Sequence, residues 1–186
     1  MATKAGITWE EFLAAGKEGQ RWECVDGEVV FMTPVFRPHG KTNVKLDYEL
    51  VAFTRQHPEW IAYGTDTAFT MASGNWRCPD AALVRKERDD AADPQGPTPF
   101  APDMAFEILS PSDTGSEMQS KRQDYYESKV IQVWLDPQRK TAEVISPARP
   151  AQHFRATQVL TLPELPDFRL DLNPLFCLSP TQKSSG

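Results

Sequence analysis

The sequence predicts an α/β or α+β domain built on a mixed β-sheet, and three observations predict it. Helix-start signals alternate with runs of β-branched and aromatic residues. Two pairs of such runs are joined as hairpins, one across Asp26-Gly27 and one across the polar stretch DPQRK. The chain has 186 residues, enough to bury about two-thirds of its unfolded surface around one core, so a single domain is expected over its whole length.

The elements follow in order. Thr8 with Glu11 forms a capping box for a short helix carrying Trp9, Phe12 and Leu13, and Gly16 stops it. RWECV and EVVFM flank Asp26-Gly27, a dipeptide that readily takes positive φ in a two-residue turn. From Pro38 to His57 the residues Val44, Tyr48, Val51 and Leu46, Leu50, Phe53 recur at three- and four-residue spacings, which predicts a helix buried along a broad stripe; Pro58 ends it. WIAYG, DTAFTM and, after the turn ASGN, WRCPDAALV read as strands, and the charged, Pro-rich segment 85–101 reads as an exposed loop. A strand over 103–109 precedes a second capping box, Thr114 with Glu117, and a helix to Glu127. IQVWL and TAEVIS pair as a hairpin, and a last strand around QVLTL leads into a Pro-punctuated tail. Residues 1–6 and 181–186 read as frayed ends.

Composition narrows the function. The balance of 40% hydrophobic and 25% charged residues is that of an ordinary globular protein, with no apolar run near the ~20 residues that span a bilayer. MATKAGITWEEF lacks the apolar stretch of a signal peptide, so a cytoplasmic protein without membrane partners is expected. Cys24, Cys78 and Cys177 are odd in number and far apart, which fits small core residues better than disulfides or a zinc cluster. His39, His57 and His153 are scattered and read as surface or capping residues, and the five tryptophans as core. A net charge of -6 argues against a generally sticky nucleic-acid binder but leaves room for an enzyme with a local basic groove.

Two acids stand where apolar residues belong. Glu107 lies inside PDMAFEILSPSD and Asp80 inside WRCPDAALV, both read as strands. A carboxylate stripped of water is destabilised by several kcal/mol unless a cation or hydrogen-bond donors replace the water. The ordinary reading of one such acid is a strand-edge residue bonded to backbone; two of them point to a shared proton or a hard divalent cation, Mg²⁺ or Mn²⁺. In the following helix Met118, Lys121 and Tyr125 form the inward stripe, so Lys121 is either a snorkelling lysine or a cation aimed at the acids. Two carboxylates, a metal and a lysine suffice to hydrolyse a phosphodiester without a covalent protein nucleophile. Arg37, Lys41 and Lys45, spaced four apart, form a candidate phosphate-contacting stripe, although Glu49 continues it as a solvated helix face would.

The order W-E-C-V-D-G-E (22–28), R-C-P-D-A-A-L-V (77–84), P-D-M-A-F-E-I-L-S-P-S (102–112), K-x-x-x-Y (121–125) and V-W-L-D-P (133–137) resembles the Uma-two family, from Trp22 to the tail LPDFRLDLNPLF. The resemblance implies a restriction-endonuclease-like core of mixed β-sheet flanked by helices, with added hairpins, and a bacterial Mg²⁺-dependent endonuclease of the PD-(D/E)XK type acting on nucleic acid, DNA being expected. It implies Asp80 and Glu107 as metal-binding acids and Glu23 as a candidate third acid. The lysine of the superfamily's E-x-K would fall at position 109, where this chain has Leu109; within the family the following helix supplies it, and Lys121 matches that place. A homodimer would suit an enzyme that cuts both strands. The rival readings are a nuclease fold that binds nucleic acid without turnover, and a protein-interaction module.

Overall fold

The computed structural model describes residues 7–15, 22–32, 34–93 and 98–176. Gly16, Cys177, both chain ends and residues 94–97 of the predicted loop lie outside the described residues.

Helix α1 (Trp9–Ala15) begins at the predicted capping box: the Thr8 N–H donates to Glu11 Oε2 at 2.8 Å and the Glu11 N–H to Thr8 Oγ1 at 3.2 Å. Strands β1 (Trp22–Val25) and β2 (Glu28–Phe31) form the first hairpin, with Asp26 and Gly27 at φ of 53° and 80°. Helix α2 (Arg37–Gln56) follows, then β3 (Trp60–Gly64), β4 (Phe69–Thr70), β5 (Trp76–Arg77) and β6 (Ala81–Arg85). One turn, α3 (Lys86–Asp89), lies within the predicted loop. Strand β7 (Met104–Ile108) leads through α4 (Gly115–Glu127) to β8 (Ile131–Asp136), β9 (Thr141–Ser146) and β10 (Arg149–Arg155). The described chain closes with β11 (Val159–Leu162), β12 (Leu165–Asp171) and α5 (Leu172–Phe176).

The central sheet has six strands in the order β10-β9-β8-β7-β6-β3, mixed as predicted. Strands β7 and β8 run parallel, which requires a crossover, and α4 supplies it. A four-stranded sheet, β2-β1-β5-β4, and the pair β11-β12 accompany it. Because successive side chains alternate between faces, the three middle strands feed two cores. Leu83, Phe106 and Leu135 pack with Leu46, Leu50 and Phe53 of α2 and with Leu160 and Phe168. On the other face Ala82, Ala105 and Trp134 pack with Phe69 and with Tyr125 of α4. Glu107 has the parity of Ala105, so β7 delivers its carboxylate to the α4 face.

Four expectations are corrected. WRCPDAALV is two strands in two different sheets, and Asp80 lies in the bend just before β6 rather than within a strand. Pro79 has no N–H to continue a ladder, which places the break there. On α2, Val44 and Tyr48 are 70% and 71% exposed and Val51 is exposed too, so one half of the broad stripe faces outward while Leu46, Leu50 and Phe53 pack. DTAFTM shortens to β4. The Pro-punctuated tail contains β12, whose Leu165, Phe168 and Leu170 are buried, while Pro166 occupies an exposed position. Cys24 and Cys78 are buried free thiols, as expected of core residues. Among the described residues no helix is long and apolar enough to cross a membrane.

Candidate active site

Glu107 is 7% exposed, and two groups from α4 take the place of its lost water. The Tyr125 hydroxyl donates to Oε1 at 2.6 Å, and Lys121 Nζ lies 3.1 Å from the same oxygen and 3.2 Å from Oε2. Helix α4 reaches the site in this phase because its start is fixed by the second capping box. Glu117 N–H donates to Thr114 Oγ1 at 3.3 Å and Thr114 N–H to Glu117 Oε2 at 3.0 Å. Lys121 and Tyr125, four apart, then share the buried face.

The ammonium of Lys121 is also 2.9 Å from Oε1 of Glu23, which β1 contributes from the other sheet. Glu23 is 2% exposed and fully engaged: it accepts from Arg77 Nη1 at 2.9 Å and from the Cys78 N–H at 3.0 Å. Arg77 in turn donates from Nε to Asp124 at 2.6 Å and from Nη2 to Ser120 at 2.7 Å, both on α4. Asn75 donates to both oxygens of Asp124 at 3.1 and 3.0 Å. A buried network therefore ties the small sheet to α4.

Asp80 is held from two other directions. Its Oδ2 accepts from the Ile108 N–H at 2.8 Å and lies 3.1 Å from His39 Nε2. An ionised carboxylate can only accept, so the proton of this pair sits on Nε2. His39 is 5% exposed, which corrects the surface-or-cap reading, and its Nδ1 finds no partner among the described residues. The sequence did carry a signal for it. His39, Thr42, Leu46, Leu50 and Phe53 are the buried residues of α2, and they recur at spacings of three and four.

The surroundings push the three acids apart. Burial drives the Glu107 carboxyl up to about 7 against the pull of the Lys121 charge, and the charges of Asp80 and Glu23 add to the rise. Burial would raise Glu23 too, but Lys121 and Arg77 outweigh it and hold Glu23 below the usual range. Asp80 is likewise lowered, burial being overcome by His39 and the Ile108 amide. For Lys121 burial is outweighed by Glu107 and Glu23, which hold the ammonium protonated. Lys121 thus stays a cation between Glu23, held ionised, and Glu107, raised to about 7, while Asp80 is held ionised by His39 and the Ile108 amide.

Asp80, Glu107, Lys121 and Glu23, singled out in the sequence, all line one cavity of about 510 Å³. Arg37 and Lys41 are exposed on the first turns of α2, outside that lining. Lys45 donates to the carbonyls of Pro174 and Leu175 at 2.7 and 3.4 Å, binding α2 to α5. Among the described residues no group of three or more His, Cys, Asp or Glu is arranged to hold a metal by itself.

Residues 9–173 match the model of the Uma2 family, described as "Putative restriction endonuclease". No curated protein matches the chain. Among solved structures, a crystal structure from Anabaena variabilis, titled a "putative nuclease belonging to DUF820", superposes with a TM-score of 0.76 at 18% identity. That match covers 91% of this chain and 97% of that one. At this identity the likeness carries the fold.

Proposed function

Since this chain belongs to the Uma2 family of restriction-endonuclease-like proteins, we propose that it is a metal-dependent endonuclease that hydrolyses phosphodiester bonds, with DNA as substrate. One observation carries the reading: a buried ammonium, Lys121, is placed 3.1 Å from Glu107 at a cavity that Asp80 also lines. The E-x-K lysine replaced by Leu109 thus has a substitute from α4.

The donor set fits a hard cation. Glu107, raised to about 7, is a carboxylate whose negative surroundings are under-neutralised, and a divalent ion beside Asp80 and Glu107 would relieve this. Two carboxylates leave the remaining positions to water and phosphate oxygens, the usual arrangement for Mg²⁺. Such an ion would withdraw charge from the phosphate and make a water a stronger nucleophile. The chain's own groups do the rest. His39 and the Ile108 amide hold Asp80 ionised and oriented, and Tyr125 fixes Oε1 of Glu107. Glu23 and Arg77 act as an anchor, Glu23 being ion-paired with both Lys121 and Arg77, which makes Glu23 a positioning residue more than a ligand. On this reading Lys121 would steady the attacking water or neutralise charge developing on the phosphate.

The test is nicking of supercoiled plasmid with Mg²⁺, Mn²⁺ or EDTA, beside Asp80→Ala. Nicking with either metal, absent in EDTA and in the variant, is expected. Intact plasmid under every condition, with a salt-dependent shift of labelled DNA, would instead favour a binder without turnover.

A further inference from the structure

The face of the sheet that carries Glu107 continues beyond the carboxylate cavity. Paired residues of neighbouring strands direct their side chains to the same face, and the register carries one row outward from the site. Glu107 of β7 pairs with Trp134 of β8, Trp134 with Glu143 of β9, and Glu143 with His153 of β10. The next row on that face is Asp136, Thr141 and Arg155. Strand β10 is the outer strand, so both rows end at the sheet's edge, about 14 Å from β7 at the ordinary spacing of neighbouring strands. These residues, with Arg122 of α4 and Arg139 of the β8–β9 turn, line a second hollow of about 630 Å³, and Leu109, Met118 and Trp134 line both hollows.

Charge changes sign from one hollow to the other. In the first, Glu23, Asp80, Glu107, Asp113 and Glu117 outnumber Arg77 and Lys121. In the second, Arg122, Arg139 and Arg155 outnumber Asp136 and Glu143. Both of those acids are already matched: Arg122 donates to Glu143 at 2.6 Å with its guanidinium 4.7 Å from the Trp134 ring, and Arg139 reaches Asp136 at 3.4 Å. The Arg139 side chain is 83% exposed, which leaves most of its donors open to solvent. Arg155 is exposed as well, and its guanidinium makes no ion pair among the described residues. A polyanion is repelled by the first lining and attracted by the second, so the second is where binding energy for a phosphate backbone is to be found.

Resting on the nuclease reading, we propose that the second hollow grips the substrate's backbone on one side of the cleaved bond, Arg139 and Arg155 each contacting a phosphate. One strand of a duplex rises 3.4 Å per phosphate, so a span of about 14 Å places these contacts within about four phosphates of the reacting one. The grip is on phosphate rather than base, and so is independent of sequence.

The test measures binding of a labelled duplex DNA in EDTA as a function of salt, on wild type, Arg139→Ala/Arg155→Ala and Arg139→Lys/Arg155→Lys. Each lost phosphate contact lowers the slope of log K against log salt by about one, so the alanine pair should lose about two and bind more weakly at every salt concentration. The lysine pair keeps both charges and should keep the slope. Arg55→Ala/Arg169→Ala removes the same charge from exposed positions outside both linings and should leave the slope unchanged. A wild-type slope in Arg139→Ala/Arg155→Ala, an equal loss in Arg55→Ala/Arg169→Ala, or no salt-dependent binding by wild type overturns the proposal. Plasmid nicking in Mg²⁺ separates this from the nuclease reading: the alanine pair should raise KM and keep kcat, because its contacts are remote from the reacting phosphate. Nicking by wild type that is unchanged in the alanine pair overturns the grip and leaves the nuclease reading standing.

Discussion

Glu107 is a carboxylate that the fold desolvates more completely than it neutralises, and this has a measurable consequence without metal. In the unfolded chain it titrates near 4.5 and in the folded one near 7, so between those pH values the folded state binds more protons. Stability from this group is therefore greatest at low pH, declines as pH rises through the window from 4.5 to 7, and is flat above it. Integrated, the decline is on the order of 3 kcal/mol. Unfolding by denaturant in EDTA at pH 5 and pH 8 measures it: wild type should lose more stability over that interval than Glu107→Gln, which has no proton to exchange. At pH 8 the variant should be no less stable than metal-free wild type, because it removes a buried charge. A clear drop there would mean that ionised Glu107 is a structural group.

At the scale of elements, α4 matters most, since Lys121, Asp124, Tyr125 and Ser120 all reach the site or its network from it. Its phase rests on Thr114. Removing that cap side chain in Thr114→Ala should cost about 1 kcal/mol, which lowers the melting temperature by about 2–4 °C in a chain of this size. Thermal unfolding checks it, and an unchanged midpoint would show that packing alone sets the start of α4. This helix was legible because a capping box is a local signal, and so was the first hairpin, whose Asp26-Gly27 turn needs no tertiary information. The break at Pro79 was less legible: proline marks a disrupted ladder, but that the chain changes sheets there depends on strands far away in sequence. The outward half of α2 was invisible for a related reason. Val44, Tyr48 and Val51 satisfy the helical period as well as Leu46, Leu50 and Phe53 do, and only the arrangement of the sheet decides which half packs. Asp80, Glu107 and Lys121 are legible because each breaks an apolar pattern, whereas Glu23 is reached only through the family resemblance; His39 keeps to such a pattern, as part of a buried stripe, and is not legible as a site residue.

Across the whole molecule the site is an exchange of charge between elements that share no local sequence. Glu23 comes from one sheet, Glu107 from the other and Lys121 from the crossover helix, so the ammonium links the two sheets as well as serving the cavity. Deleting it leaves Glu107 with Tyr125 but without a countercharge, and breaking such a buried pair costs about 3–5 kcal/mol. Lys121→Met keeps the stem and isolates the charge. In metal-free buffer the variant should be less stable than wild type, and a divalent cation should raise its melting temperature more than that of wild type, because the ion replaces the lost ammonium next to Glu107. Cleavage should nevertheless fall sharply, since an interaction made chiefly in the transition state lowers turnover more than ground-state binding. Leu109 offers the counter-test. It stands two residues beyond Glu107, just past the end of β7, and lines the same cavity; continued strand geometry lets the two side chains leave the backbone on the same face about 6–7 Å apart. Adding Leu109→Lys to Lys121→Met restores an E-x-K and should return part of the lost rate, measured by plasmid nicking in Mg²⁺. A single Lys121→Met variant that cuts at the wild-type rate would show that the catalytic charge comes from another group, and that Lys121 serves only to join the two sheets.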